Sequence, residues 1–140
     1  LAIRKAKLPE GHPDIAQAHG YFALALHVNG QHDDAATEYE TAIRMYVAHG
    51  MREEEARQEH NLGLLWNERG DLPRALSHLE RADRAWQIAN PNHPDGGDTR
   101  FMLGQLLWHA GEEARAIELV ATLRAPGRAA VASWLAERGR

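Results

Sequence analysis

Between Glu59 and Ala82 the chain reads EHNLGLLWNERGDLPRALSHLERA, with apolar and small residues on one side of two successive helical stretches. Leu62, Gly63 and Trp66 form the first stripe, and Ala75, Leu79 and Ala82 repeat at three- and four-residue intervals along the second. Gly70 ends the first stretch, and Asp71 and Pro73 open the next. The pattern predicts an antiparallel helix pair joined by a glycine turn.

That pattern occurs three times. The turn glycines Gly30, Gly70 and Gly111 are 40 and 41 residues apart. Seven residues before each stands a small residue (Ala23, Gly63, Gly104), and five residues after each stands an alanine (Ala35, Ala75, Ala116). Two helices approach closely only where side chains are small, and the turn between them needs a residue that terminates a helix. The chain is expected to be an all-α repeat protein.

Residues 1–11 read as the tail of a preceding helix, stopped by Pro9 and Gly11, and so as part of a longer protein. The first full pair is expected over about 13–29 and 32–49, with Phe22, Ala23 and Leu26 facing Ala35, Tyr39, Ala42, Ile43 and Tyr46. The second opens at Arg52, where Glu53, Glu54 and Glu55 read as a solvated first turn that complements the helix dipole. PNHPDGGD at 91–98 is the strongest loop signal, which places the third pair at 99–110, capped by Asp98, and at 112–124. Ala125-Pro126-Gly127 breaks the chain again. A last helix over 128–138, whose VASWLAERG echoes LGLLWNERG, reads as the cap of the stack. The expected units are 12–51, 52–92 and 93–125, with the cap at 126–140.

These repeats resemble the long tetratricopeptide type of kinesin light chains and many bacterial signalling proteins. In that type a His-Pro-Asp linker joins successive units, and His12-Pro13-Asp14 and His93-Pro94-Asp95 match it. The second unit carries GMREEEA there instead. The resemblance implies a right-handed α-solenoid of antiparallel helix pairs, about three full repeats plus partial helices at both ends. DTRFMLGQLLWHAGEEARAIELVATLR and VASWLAERGR are further similar to the closing part of tetratricopeptide regions attached to bacterial serine/threonine kinases. No phosphate loop, HRD or DFG accompanies them.

Composition narrows the functions. The net charge is −4, and bases are dispersed among acids, which gives no nucleic-acid footprint. No apolar run reaches the roughly 20 residues of a membrane span. Cysteine is absent, which suits a reducing, cytoplasmic setting. Arginine outnumbers lysine fourteen to two, as in GC-rich bacterial genomes.

Candidate chemistry is sparse. The nine histidines include no i,i+3 or i,i+4 helical pair among His19, His27, His32, His49, His60, His78 and His109, and HExxH is absent, so neither a metal nor another cofactor is expected. The two HPD tripeptides each lead into a repeat, unlike the single HPD of J-domain co-chaperones. Ser77 and Ser133 lie in helical patterns outside any GxSxG turn, and Glu112–Glu113, like Glu53–Glu55, read as solvated. No catalytic residue is expected.

Trp66, Trp86 and Trp134 read as packing residues. In the resembled architecture the first helix of each pair lines the concave side. Projecting one register gives Tyr21, Leu24 and His27 from the first unit, His60, Asn61, Leu64 and Asn67 from the second, and Phe101, Gln105 and Trp108 from the third. Asn61 matches an asparagine that in such units bonds a peptide backbone, whereas Tyr21 and Met102 stand in its place elsewhere. The groove carries few cations, so an apolar peptide or helix suits it better than an acidic tail. The expected function is a non-catalytic protein-interaction scaffold within a larger bacterial signalling protein. The alternatives are a sensor for a small molecule or short peptide and a homo-oligomeric module stacking through its open ends.

Overall fold

The computed structural model describes residues 12–123 and 127–139. The expected helix tail at 1–11 lies outside them. Seven α-helices and no strand occur among the described residues: α1 Pro13–Val28, α2 His32–Ala48, α3 Arg52–Glu68, α4 Leu72–Ala89, α5 Pro94–His109, α6 Glu113–Val120 and α7 Gly127–Glu137. Each helix from α1 to α5 packs on the next in the chain, α1 also touches α3, and α7 packs on α5. The result is an all-α stack of helix pairs.

One local device ends four helices. Gly30, Gly50, Gly70 and Gly111 have φ between 67° and 87°, where a side chain would be strained. At Gly70 the glycine N–H donates to the Asn67 carbonyl at 3.0 Å, and the Asp71 N–H donates to that of Trp66 at 2.9 Å. These are the two bonds of a Schellman turn, and the same pair recurs at the other three glycines.

Both HPD tripeptides prove to be helix starts. The imidazole Nδ1 of His12 accepts the Asp14 N–H, and that of His93 accepts the Asp95 N–H, each at 3.0 Å. Each histidine caps its helix, proline follows at the first helical position, and the aspartate meets the positive helix end.

The third pair therefore differs from expectation. Helix α5 starts at Pro94 rather than at 99, and its cap is His93, not Asp98. The glycines that read as loop residues lie inside the helix. A Cβ on Gly96 would stand 3.2 Å from the Trp86 Cβ and Cγ, so its lack of a side chain lets α5 begin against that indole. His93 stacks on the same ring, with centroids 4.6 Å apart. Helix α6 is also shorter than expected, ending at Val120 instead of 124.

The register sites form the core. Ala23, Ala35, Ala75 and Ala116 are fully buried, and Leu79 is buried opposite Gly63. Across each pair the small residue matches the residue nine after the turn glycine: Ala23 shares a cluster with the flat Tyr39, whereas glycines oppose the branched Leu79 and Val120. Phe22 departs from expectation. It is 44% exposed, while its counterparts Leu62 and Leu103 are buried, because it lies in the first described pair and they are covered by the pair before.

Polar pairs lace the helices together. His19 of α1 bonds Glu38 of α2, and Glu59 of α3 faces His78 of α4 at 3.4 Å, the same two sites with acid and base exchanged. Arg100 grips Asp83 through two bonds of 2.9 and 3.0 Å, a geometry that adds strength and direction. Glu55 is less solvated than expected: its side chain is mostly buried, and burial raises its pKa.

Candidate functional site

The first helices of the pairs, α1, α3 and α5, lie side by side. His60 of α3 meets the Thr99 hydroxyl of α5 at 2.8 Å, and Arg57 reaches Asp95 at 3.5 Å. A cleft at this seam is lined by Arg57, His60, Trp86, Asp95, Asp98 and Thr99. Burial lowers the His60 pKa, against the opposing pull of Asp98 and Asp95.

The ten projected groove residues divide into two stripes. Sites ten and three residues before the turn glycine are seven apart, two helical turns, and hence share a face. At four of these sites that face meets the following helix instead of a groove: His60 bonds Thr99, His27 bonds Glu68 of α3, and Phe101 and Trp108 lie edge-on to Trp134 of α7 at 6.2 and 5.4 Å. His27, His60, Phe101 and Trp108 are therefore seam residues. The projection assigned them to the groove because a 100° step alone does not say where the next unit sits.

The remaining sites stay open. Tyr21 and Leu24 are 66% and 46% exposed, Asn67 is exposed, and Asn61, Leu64 and Gln105 are half-buried. Leu24, Leu64 and Gln105 occupy equivalent positions in the three units, as do Tyr21 and Asn61 one turn earlier. No side chain among the described residues hydrogen-bonds the amides of Asn61, Asn67 or Gln105.

A second constellation was hidden in the sequence. His27 near the end of α1, His32 at the start of α2 and Glu68 at the end of α3 bring one ligand atom each within 4.8 Å of one another. His27 Nε2 is 2.8 Å and His32 Nε2 3.8 Å from Glu68 Oε2. Tyr39, fully buried, meets His27 Nδ1 at 3.0 Å, and burial together with the charge of Glu68 pushes its pKa up to about 12, so the hydroxyl keeps its proton. His27 and His32 thus meet although neither i,i+3 nor i,i+4 spacing joins them. The spacing rule failed because His27 and His32 are five residues apart across a turn, and Glu68 comes from the next unit.

No curated protein matches the chain. Its fold has clear neighbours. The nearly identical TPR-like repeats of a kinesin-light-chain-like protein from Podosopora anserina superpose with a TM-score of 0.74 at 22% identity, over 92% of this chain and 67% of that one. BtubC (BKLC) from P. vanneervenii gives 0.68 at 20% identity, over 89% of this chain and 54% of that one. Aspartyl phosphate phosphatase F from Bacillus subtilis gives 0.76 at 22% identity, over 83% of this chain and 30% of that one. At such identity the likeness concerns the fold. Repeats of this architecture generally mediate protein–protein interaction and are generally non-catalytic. No helix among the described residues is long and apolar enough to cross a membrane. The tetratricopeptide-repeat family model matches residues 22–89 and 68–132, so the repeat that the glycine register marks out is that of the tetratricopeptide family, to which the chain belongs.

Proposed function

We propose that the chain is a non-catalytic scaffold that binds an extended or helical segment of a partner protein along the open face of α1, α3 and α5. The observation that carries this is the row of Leu24, Leu64 and Gln105 at equivalent sites, beside Tyr21, Asn61 and Asn67. The amides offer donors and acceptors to a peptide backbone, and Tyr21, Leu24 and Leu64 offer apolar contact. The chain spans only part of its longer structural neighbours, which fits a module within a larger protein, in our reading a cytoplasmic bacterial signalling protein.

The test is partner capture with Asn61→Ala and Leu64→Ala combined, helicity being checked by circular dichroism. Binding is expected to fall at least tenfold while helicity is retained. Unchanged binding by a folded double variant refutes the assignment of this face. End-to-end self-association is the second reading, supported by the exposed Phe22 and Val28 of the first pair. Light scattering across a concentration series decides it.

A further inference from the structure

We propose that His27, His32 and Glu68 form a site for a divalent transition-metal ion, zinc by preference, that clips the first helix pair to the second. Two imidazoles and a carboxylate are a donor set that zinc accepts, with a fourth position left for water. In a tetrahedral site with bonds of about 2.0–2.1 Å, ligand atoms stand roughly 3.3 Å apart. The observed 2.8 and 3.8 Å bracket that value, and all three ligand atoms lie within 4.8 Å of one another, so side-chain adjustments would complete the geometry. Glu68 is 53% exposed and free to make them.

The surroundings are those of a built site rather than a surface coincidence. Side chains of His27 and His32 are 11% and 25% exposed, and their rings meet edge-on at 5.6 Å. Metal-binding histidines commonly give their second ring N–H to a fixed partner. Tyr39 is that partner: with an ion bound, His27 carries its proton on Nδ1 and donates it to the phenol oxygen, which frees the Nε2 lone pair. The metal then replaces the direct His27–Glu68 hydrogen bond. The nearby guanidinium of Arg69 is tied to Asp33 at 2.8 Å.

The test uses the untagged full chain, stripped with chelator and titrated with zinc chloride by calorimetry. Cobalt(II) serves as a spectroscopic probe of coordination number. One equivalent is expected to bind, with a visible ligand-field spectrum of low-coordinate cobalt and a raised melting temperature. His32→Ala and Glu68→Ala each should weaken binding at least tenfold. Tyr39→Phe should weaken it by about ten- to a hundredfold through the lost bond between the phenol and His27. His49→Ala, at an exposed histidine elsewhere, should change nothing. Circular dichroism verifies that each variant folds, and Glu68→Ala alters only an exposed side chain, so at least one ligand variant remains informative. Equal affinity in the folded ligand variants and the parent, or weak uptake at several sites without a ligand-field spectrum, overturns the proposal and leaves adventitious binding by surface histidines.

Discussion

Gly63→Ala places opposing effects on one atom. Alanine is favoured over glycine within a helix by about 1 kcal/mol, so an open site would be stabilised by that amount. Gly63 is not open. Its Cβ would stand 2.8 Å from Leu79 Cγ, 3.0 Å from Leu79 Cδ2 and 3.3 Å from the Ala75 carbonyl. Carbon atoms rest at about 3.5–4.0 Å, so Leu79 must leave its rotamer or α3 and α4 must part. Leu79 is fully buried, and its Cγ is the branch point of the side chain rather than a free end. Overpacking of this kind costs about 1–3 kcal/mol, which outweighs the propensity gain and leaves a net loss of about 1 kcal/mol. The sign should reverse once the obstacle is gone. Leu79→Ala alone costs about 2–5 kcal/mol. In that background Gly63→Ala should stabilise by up to about 1 kcal/mol. The double-mutant cycle, read from urea unfolding monitored by circular dichroism, should give a coupling of about 2 kcal/mol, well above the 0.3–0.5 kcal/mol error typical of independent sites. If Gly63→Ala stabilises equally in both backgrounds, Leu79 yields without cost, and close approach is not why glycine stands there.

Two further outcomes follow from the seams. The folded-state pKa of His60 lies below its ordinary value of about 6.5, so the unfolded chain takes up the proton first as pH falls. Stability from the neutral ring is complete above that value and is lost on acidification toward the folded pKa. Melting temperatures between pH 7.5 and 5.5 should therefore fall further in the parent than in His60→Asn, and equal slopes would refute the burial argument. Trp134→Ala removes the ring against which Phe101 and Trp108 pack, a loss of about 3–5 kcal/mol felt at one end of the stack. It should release α7, with lower ellipticity and stronger iodide quenching of the remaining tryptophan fluorescence. Unchanged quenching would mean that Trp134 does not shield Trp108.

The helices, their turns and the closest contacts within each pair were legible in the sequence, because each depends on residues near one another in the chain. A Schellman turn is settled within about six positions, so Gly30, Gly70 and Gly111 marked three helix ends from their spacing alone. Ala23, Gly63 and Gly104, with Ala35, Ala75 and Ala116, located the crossing points, since only small residues permit them. The start of α5 was misread because glycine has two uses: a breaker in isolation, Gly96 is a point of contact once Trp86 is beside it. What one pair presents to the next was decided by the tertiary structure. Helical periodicity groups His60 with Asn67, and His27 with neighbours of its own helix, but it does not say which stripe the following pair covers. That depends on the angle between units, which turned His27, His60, Phe101 and Trp108 into the seams, left Tyr21 and Leu24 exposed, and left Asn61, Leu64 and Gln105 half-buried. It also brought Glu68 to His27 across 41 residues of chain, a meeting that no local spacing encodes.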